Sequence, residues 1–598
     1  MPRGRRRGRR TAGSVLTAAG SVIAAVALAL AGTVFYGSPR ALADGTANLL
    51  YTPASPDEAN AYARVIRLQH AGAADGTLLA TFEHWHTDGT PSEFIIRAST
   101  DNGATWSTRA TVRDTVTGPG HPVSQMWQPF LFEFPRQLGA YPAGTIMLLG
   151  NTVPADGAYT EFQEWLSFDQ GRTWKPMGVI QRGGTFGDGI WEPSLHLDTQ
   201  GRLVMDFSDE RDNTAHSQMI SQMVSGNGGA TWSKPYPVVA SPVQADRPGM
   251  ATVARVGPHG GYVMSYEVCG RPNCAVHLKF SADGLHWGNP AGLGARVQTP
   301  DGYYLGHSPF ITWVPDGARQ GELILAAQQV YDAVDSRPAP VDYRAVFVST
   351  DGGRGSWNWA PGPWQVSAAS PSCNADYSPD LLPVGPDGMV RYTAPTSVPG
   401  SPACGEGTGV ADIGVLPYHS DFAAGGQDGW DMFGGTWSAS GGVLSETSGG
   451  TGGNKAVTGS TAWRDYQLTA QVKATSAGSV DGVAVRVSDP SAGTDSYRGY
   501  LVFFDTHIGD FVIAREDYAY EPLATVTVPG GVAAGVWYQI TVQAVGSHIS
   551  AALARAGGST VAHVAVTDPY SSFPTGGIAL RDFAGTASWQ DVAVTPLR

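Results

Sequence analysis

Apolar residues in this chain come in short runs, each closed by a turn rich in Gly, Asp, Asn or Ser. Beyond residue 465 the runs alternate apolar and polar positions with period two and no helical period. They are Tyr466–Val472, Gly482–Val487, Tyr500–Phe504, Asp510–Ala514, Trp537–Ala544, Ile549–Ala554 and Gly577–Arg581. Such alternation marks strands with one face in a core and one in solvent, and this many in succession predict a β-sandwich. A Gly/Ser-rich stretch, Ser438–Gly453, follows the first strand-like segment of this region. The chain is therefore expected to divide into residues 1–43, 44–418 and 419–598.

Two repeats organise the middle unit. The first is a turn, S-x-D-x-G-x-T-W, seen as Ser99-Asp101-Gly103-Trp106, Ser167-Asp169-Gly171-Trp174 and Ser225-Asn227-Gly229-Trp232. Looser copies are Ser281-Asp283-Gly284-Trp287 and Ser349-Asp351-Gly353-Trp357, and the serines are spaced by 68, 58, 56 and 68 residues. In such a hairpin turn Asp or Asn bonds the local backbone, Gly takes positive φ and Trp packs beneath. Five copies at this period predict propeller blades with long loops.

The second repeat aligns on proline: Gln128-Pro129, Glu192-Pro193, Arg247-Pro248, Ser308-Pro309 and Ser378-Pro379, with Tyr62-Ala63 in the same slot. Each is followed by an apolar strand, a Gly turn and a second strand. Proline suits the first residue of a strand, where no ladder N–H is needed. These are read as six innermost strands whose starts face a central cavity. Seven residues after the turn glycine come Glu83, Asn151, Ser208, Glu267 and Gln328, with Pro395 in the sixth copy. Two mostly polar rings thus face one mouth, the usual ligand site of a propeller.

The turn resembles the Asp-box of the sialidase-like superfamily. The resemblance implies a six-bladed propeller with the boxes on the outer rim, where they carry no chemistry. The expected fold is all-β, a six-bladed β-propeller followed by a β-sandwich of jelly-roll type.

Two carboxylates stand out in the rings, Glu192 in Trp191-Glu192-Pro193 and Glu267 in Ser265-Tyr266-Glu267. Adjacent blades bring them close around the axis. Carboxylates about 5–5.5 Å apart suit a retaining glycosidase, and about 6.5–9.5 Å an inverting one. A single inward Glu is as well explained by a bond to loop backbone; two at matched register argue for catalysis. The runs WEPSL, FSDER, DRPGMATV and VMSYE resemble glycoside hydrolase family 93, exo-acting arabinanases on this propeller. Glu192 and Glu267, 75 residues apart, match its W-E-P and Φ-x-x-E motifs. The resemblance implies retaining release of short α-1,5-linked arabino-oligosaccharides from a chain end; we assign Glu192 as nucleophile and Glu267 as acid/base.

Arg64, Glu83, Trp127, Trp191, Arg247 and Tyr377 are the candidate substrate-binding residues. Trp127 and Trp191 could stack on sugar faces, and Arg247 could orient a glutamate and lower its pKa. An exo-α-sialidase is the alternative. Tyr62-Ala63-Arg64 resembles that family's opening motif, Asp88 its acid/base, Glu192 its helper and Asp376-Tyr377-Ser378 its nucleophile strand. The arginine trio is incomplete, with Arg211 and Arg344 only near the expected places, and each lost bidentate pair weakens carboxylate binding. A non-catalytic glycan-binding propeller is a second alternative.

Charge and cysteines set the surroundings. MPRGRRRGRR, an apolar run Val15–Phe35 and Ala41-Leu42-Ala43 read as a signal peptide, and the protein as secreted. That segment holds seven arginines and no acid, so of 38 basic groups 31 remain against 52 acidic ones, a net of −21. Such a chain repels nucleic acid and anionic membrane. The expected partner is a polysaccharide or oligosaccharide, met by a monomer. Cys269, Cys274, Cys373 and Cys404 lie in the exported part, where disulfides form; proximity favours Cys269–Cys274 and Cys373–Cys404. His84 and His86 share a strand face, but no third ligand is evident, so no metal is expected there. The run VRVSDPSAGTDSYRGYLVFF resembles laminin-G/concanavalin-type jelly rolls, which implies carbohydrate binding and room for a structural Ca²⁺. Tyr497, Arg498 and Tyr500 are its candidate exposed platform, and no other cofactor is expected.

Overall fold

A computed structural model describes residues 48–597, apart from 56, 115–123, 258–259, 315–320, 356, 371–372, 385–388, 402, 414–415, 421, 423–426, 428–429 and 461–462. The segment expected to be a signal peptide lies outside the described residues. The described helical pieces include the single 3-10 turns Gly72–Ala74 and Pro272–Cys274.

Six four-stranded antiparallel sheets follow one another as blades. Blade one runs Glu58–Arg67, Leu78–His86, Glu93–Ser99 and Ser107–Val112. Blade two runs Ser124–Glu133, Ile146–Pro154, Glu161–Ser167 and Lys175–Arg182. Blade three runs Ile190–Leu197, Leu203–Asp209, Met219–Ser225 and Tyr236–Val239, and blade four Arg247–Arg255, Tyr262–Cys269, Val276–Ser281 and Ala295–Arg296. Blade five runs Phe310–Val314, Glu322–Ala326, Ala345–Ser349 and Asn358–Pro361. Blade six takes Asp380–Pro383, Met389–Ser397 and Cys404–Asp412, and its outermost strand is Asn48–Tyr51 from the start of the propeller.

That closure explains why five turn motifs serve six blades. Each motif joins a third strand to a fourth, and in blade six the fourth strand arrives from elsewhere in the chain. The turn itself is held as the sequence requires. Ser99 Oγ accepts the Gly103 N–H at 2.7 Å and Asp101 Oδ1 accepts the Thr105 N–H at 2.9 Å. Gly103 sits at φ 82°, a conformation that costs other residues about 1–2 kcal/mol.

Second strands such as Ile146–Pro154 and Leu203–Asp209 are buried at every position. Neighbouring blades cover both faces, so these strands show no solvent-facing alternation, and their polar members Asn151, Asp206 and Asp209 are buried in hydrogen bonds. The C-terminal strands behave as alternation predicts: Tyr466–Ala474 is buried at every second position. They form an eight-stranded and a seven-stranded sheet. Trp463, Tyr466, Leu468, Tyr500 and Trp589 are among the residues packed in their core.

One expectation for this unit is overturned. Tyr497 is fully buried against Ala484, Leu501 and Val512, and Tyr500 is buried with its hydroxyl donating to Asp568 at 2.7 Å. Their rings supply packing, so they offer no exposed platform. Arg498 alone is exposed, held by Asp489 at 2.9 Å and Asp517 at 3.0 Å. Both disulfides pair as proximity suggests, Cys269–Cys274 and Cys373–Cys404.

Candidate functional site

The inner strand of each blade enters through a residue with left-handed backbone. Tyr62, Gln128, Glu192, Met250, Ser308 and Ser378 have φ of 62, 54, 53, 55, 40 and 54°. In blades one to four the pairing register jumps at this point. A bulge of this kind re-aims one side chain and frees one N–H from the ladder. Five of the freed N–H groups donate to a side chain of the preceding blade. Gln128 N–H reaches Glu83 Oε1 at 2.8 Å, Glu192 N–H reaches Gln128 Oε1 at 3.1 Å, and Met250 N–H reaches Ser208 Oγ at 3.1 Å. Ser308 N–H reaches Glu267 Oε2 at 2.8 Å, and Ser378 N–H reaches Ser308 Oγ at 3.0 Å. Three of these acceptors, Glu83, Ser208 and Glu267, belong to the second ring and two, Gln128 and Ser308, to the first, so Glu83 and Glu267 each brace the next blade.

Blade four corrects the alignment on proline. Gly249 pairs with Glu267 as Trp191 pairs with Ser208, so Met250 and not Arg247 fills the slot of Glu192. Pro248 precedes its bulge, whereas the other prolines follow theirs. A Cβ at Gly249 would lie 2.2 Å from Gln218 Nε2 and 2.8 Å from Ser208 Oγ, so a larger residue here would displace both side chains.

Glu192 and Glu267 lie on adjacent blades, and each is half-buried. Glu192 Oε1 accepts from Gln128 Nε2 at 3.3 Å, while its enclosed Oε2 makes no hydrogen bond. Burial pushes Glu192 up to about 8; the Ser208 hydroxyl and Arg247 oppose the rise, and the charges of Glu267 and Glu210 add to it. Burial pushes Glu267 up to about 7, opposed by the Ser308 N–H and Arg247. Glu83 is likewise raised to about 7 by burial, opposed by the Gln128 N–H and Arg64. Tyr377 is half-buried, its ring 6.3 Å from that of Tyr62. Burial raises its phenol far above the usual range, and the charges of Glu192, Glu83 and Glu267 raise it further.

These raised carboxyls set a sign for stability. The folded state holds protons that the unfolded chain has released, so the stabilisation is complete below the ordinary carboxylate range and is lost as pH rises through about 7 to 8. Glu192→Gln and Glu267→Gln are expected to raise Tm at pH 8 and to change it little at pH 5. Equal shifts at both pH values in a thermal scan would contradict this.

An aromatic shelf borders Glu192. The Trp191 ring stacks on Phe186 at 5.9 Å and 17°, and Trp127 lies 6.2 Å from Trp191 and 6.1 Å from Phe186. Phe186 is 55% exposed. The Trp191 indole N–H donates to Glu210 Oε2 at 2.9 Å, and Arg247 clamps the other oxygen of Glu210 while donating to Gln218 at 2.8 Å. Arg247 therefore fixes the shelf. Arg64 is buried below the ring, donating to Ser378 O at 3.1 Å and Ser378 Oγ at 2.8 Å, with its guanidinium 4.2 Å from the centre of the Tyr62 ring. Arg211 is bound bidentately by Asp209, and Asp88 is exposed, bonded to the Thr90 N–H at 2.9 Å.

Four residues of this site escaped the sequence reading. Met250 was hidden by the shifted proline, and Phe186 lies in a loop without periodicity. Glu210 stands in FSDER without a pattern to single it out. His307 has ring atoms within 4.8 Å of Glu267 Oε and of the Cys269–Cys274 sulfurs, and burial lowers its pKa. Its signal was present, since it precedes Ser308-Pro309 as Trp191 precedes Glu192-Pro193.

A six-bladed ring with two half-buried carboxylates on adjacent blades beside a stacking shelf defines a glycoside hydrolase of the propeller type. The comparisons agree. Residues 65–254 match the BNR repeat-like domain, and residues 420–595 the 3-keto-alpha-glucoside-1,2-lyase-like domain. Among solved structures the chain is similar to the GH93 alpha-L-arabinofuranosidase of Fusarium graminearum, in complex with arabinobiose. The identity is 26% over 62% of this chain and 98% of that one, with a TM-score of 0.51. It is similar also to the alpha-L-arabinanase of Penicillium chrysogenum, complexed with arabinobiose, at 25% identity over 62% and 98% of the two chains and a TM-score of 0.51. None of the curated proteins matches the chain.

Proposed function

We propose that this protein is a secreted, retaining exo-α-1,5-L-arabinanase that releases short arabino-oligosaccharides, with Glu192 as nucleophile and Glu267 as acid/base. The observation that carries the reading is the pair itself. Two carboxylates of raised pKa on adjacent blades open to one mouth beside the Trp191–Phe186 shelf. Both neighbouring structures described above were solved with arabinobiose.

In this mechanism Glu267 protonates the glycosidic oxygen as Glu192 attacks the anomeric carbon. The resulting glycosyl-enzyme is opened by water that Glu267 deprotonates. Burial raises Glu267 to about 7, so it can hold the proton it donates. The positive charge that develops at the anomeric carbon favours the ionised form of Glu192 that attacks it. Two of the three candidate arginines weigh against a sialidase: Arg64 is committed to Ser378 and Arg211 to Asp209.

The C-terminal unit is proposed to hold the polymer near the site, which raises its effective concentration. Its exposed rings are Tyr518, Tyr520 and Tyr570. Linear α-1,5-arabinan is expected to yield one dominant short product from the first minutes of digestion. A ladder of mixed lengths at early times would overturn exo action, and sialyl-lactose hydrolysis without arabinan cleavage would overturn the substrate.

A further inference from the structure

We propose that His84, His86 and Glu93 form a binding site for a divalent zinc-type cation on blade one. The sheet pattern puts them on one face. His84 and His86 are two apart on the second strand, and Glu93 is the direct cross-strand partner of His84 on the third. One ligand atom from each lies within 4.8 Å of the others, with His84 Nδ1 3.6 Å from Glu93 Oε1. The hairpin between the strands brings Glu93 within reach, which supplies the third ligand that spacing along the sequence did not reveal.

The surroundings are those of a ligand set. His84 is buried, and its Nδ1 makes no hydrogen bond. Its other nitrogen, Nε2, lies 3.1 Å from the Tyr51 hydroxyl and 3.4 Å from Glu58 Oε2. A carboxylate on the far nitrogen fixes the Nε2–H tautomer and leaves the Nδ1 lone pair facing the cluster, as metal-bound histidines require. Glu93 is held in the same manner: Arg113 binds its Oε2, which leaves Oε1 turned to His84. Two imidazoles and one carboxylate suit zinc, with a water as the fourth ligand, better than they suit calcium or magnesium.

The site would act as a staple. It joins the second and third strands of blade one at the end where Glu83 and Trp85 line the central cluster, Trp85 packing against Ala61, Tyr62 and Met250. The test is titration of zinc chloride into the chelator-stripped full chain by calorimetry, beside Tm with and without zinc. One zinc per chain and a raised Tm are expected. His86→Ala and Glu93→Gln, both at half-buried positions, should each weaken binding roughly tenfold or more and remove the Tm gain. A chain that binds no zinc overturns the proposal. Binding that survives both substitutions also overturns it, because the metal is then held elsewhere, for example by His307 and Glu267. Circular dichroism of the unliganded variants separates lost binding from lost fold.

Discussion

Glu192→Ala is expected to lower kcat/KM on the order of ten-thousand-fold or more on every substrate, because no other group can form the covalent intermediate. Glu267→Ala should depend on the leaving group. On arabinan the loss should be of similar size, since the departing sugar oxygen needs a proton. On an aryl arabinoside with an acidic phenol the first step needs little protonation, and much of the rate should return. Accumulation of glycosyl-enzyme would then show as a burst of phenol. The measurement is a plot of log kcat/KM against leaving-group pKa, steep for Glu267→Ala and shallow for wild type. Equal slopes would remove Glu267 from the acid role. Near wild-type rates for both variants would place the chemistry elsewhere in the ring, with Tyr377 and Glu83 the next groups to test.

The second large effect belongs to the shelf. Trp191→Ala should raise KM for arabinan roughly tenfold to a hundredfold, as expected for losing a stacked indole worth about 1.4–2.7 kcal/mol. The value of kcat should change little, because the ring contacts ground state and transition state alike. Glu210→Gln should give a smaller rise of the same kind, since it loosens the indole through its 2.9 Å bond without removing the ring. Phe186→Ala, at an exposed position, should raise KM with no change in Tm. A fall in kcat at constant KM for Trp191→Ala would show that the ring acts on the reacting centre and not on substrate binding.

Much of this arrangement was legible in the residues. The Asp-box turn is a local device, since its Ser, Asp and Gly bond within a few positions of one another, so its sequence pattern is rigid. The bulge residues were also visible, because proline follows four of them. What stayed hidden depends on contacts between blades. The shift in blade four shows only in the pairing of Gly249 with Glu267, and the use of Arg247 shows only in its clamp on Glu210. The buried Tyr497 and Tyr500 misled for a related reason. An aromatic residue in a sandwich strand faces core or solvent according to register, and the turn before Arg498 is too irregular to count through. Glu93 became a partner of His84 only when the hairpin was folded.

The central claim is that Glu192 and Glu267 are a retaining pair with divided roles. It is tested most directly by azide rescue of the two alanine variants on an aryl α-L-arabinobioside, with the anomeric configuration of the product read by proton NMR. Azide bound in the space left by Glu192 attacks the substrate from the nucleophile's face, so Glu192→Ala should give the inverted β-arabinosyl azide. In Glu267→Ala the covalent intermediate still forms and azide opens it, so the retained α-azide is predicted. The swapped pattern would reverse the two roles, and no azide product from either variant would contradict the pair.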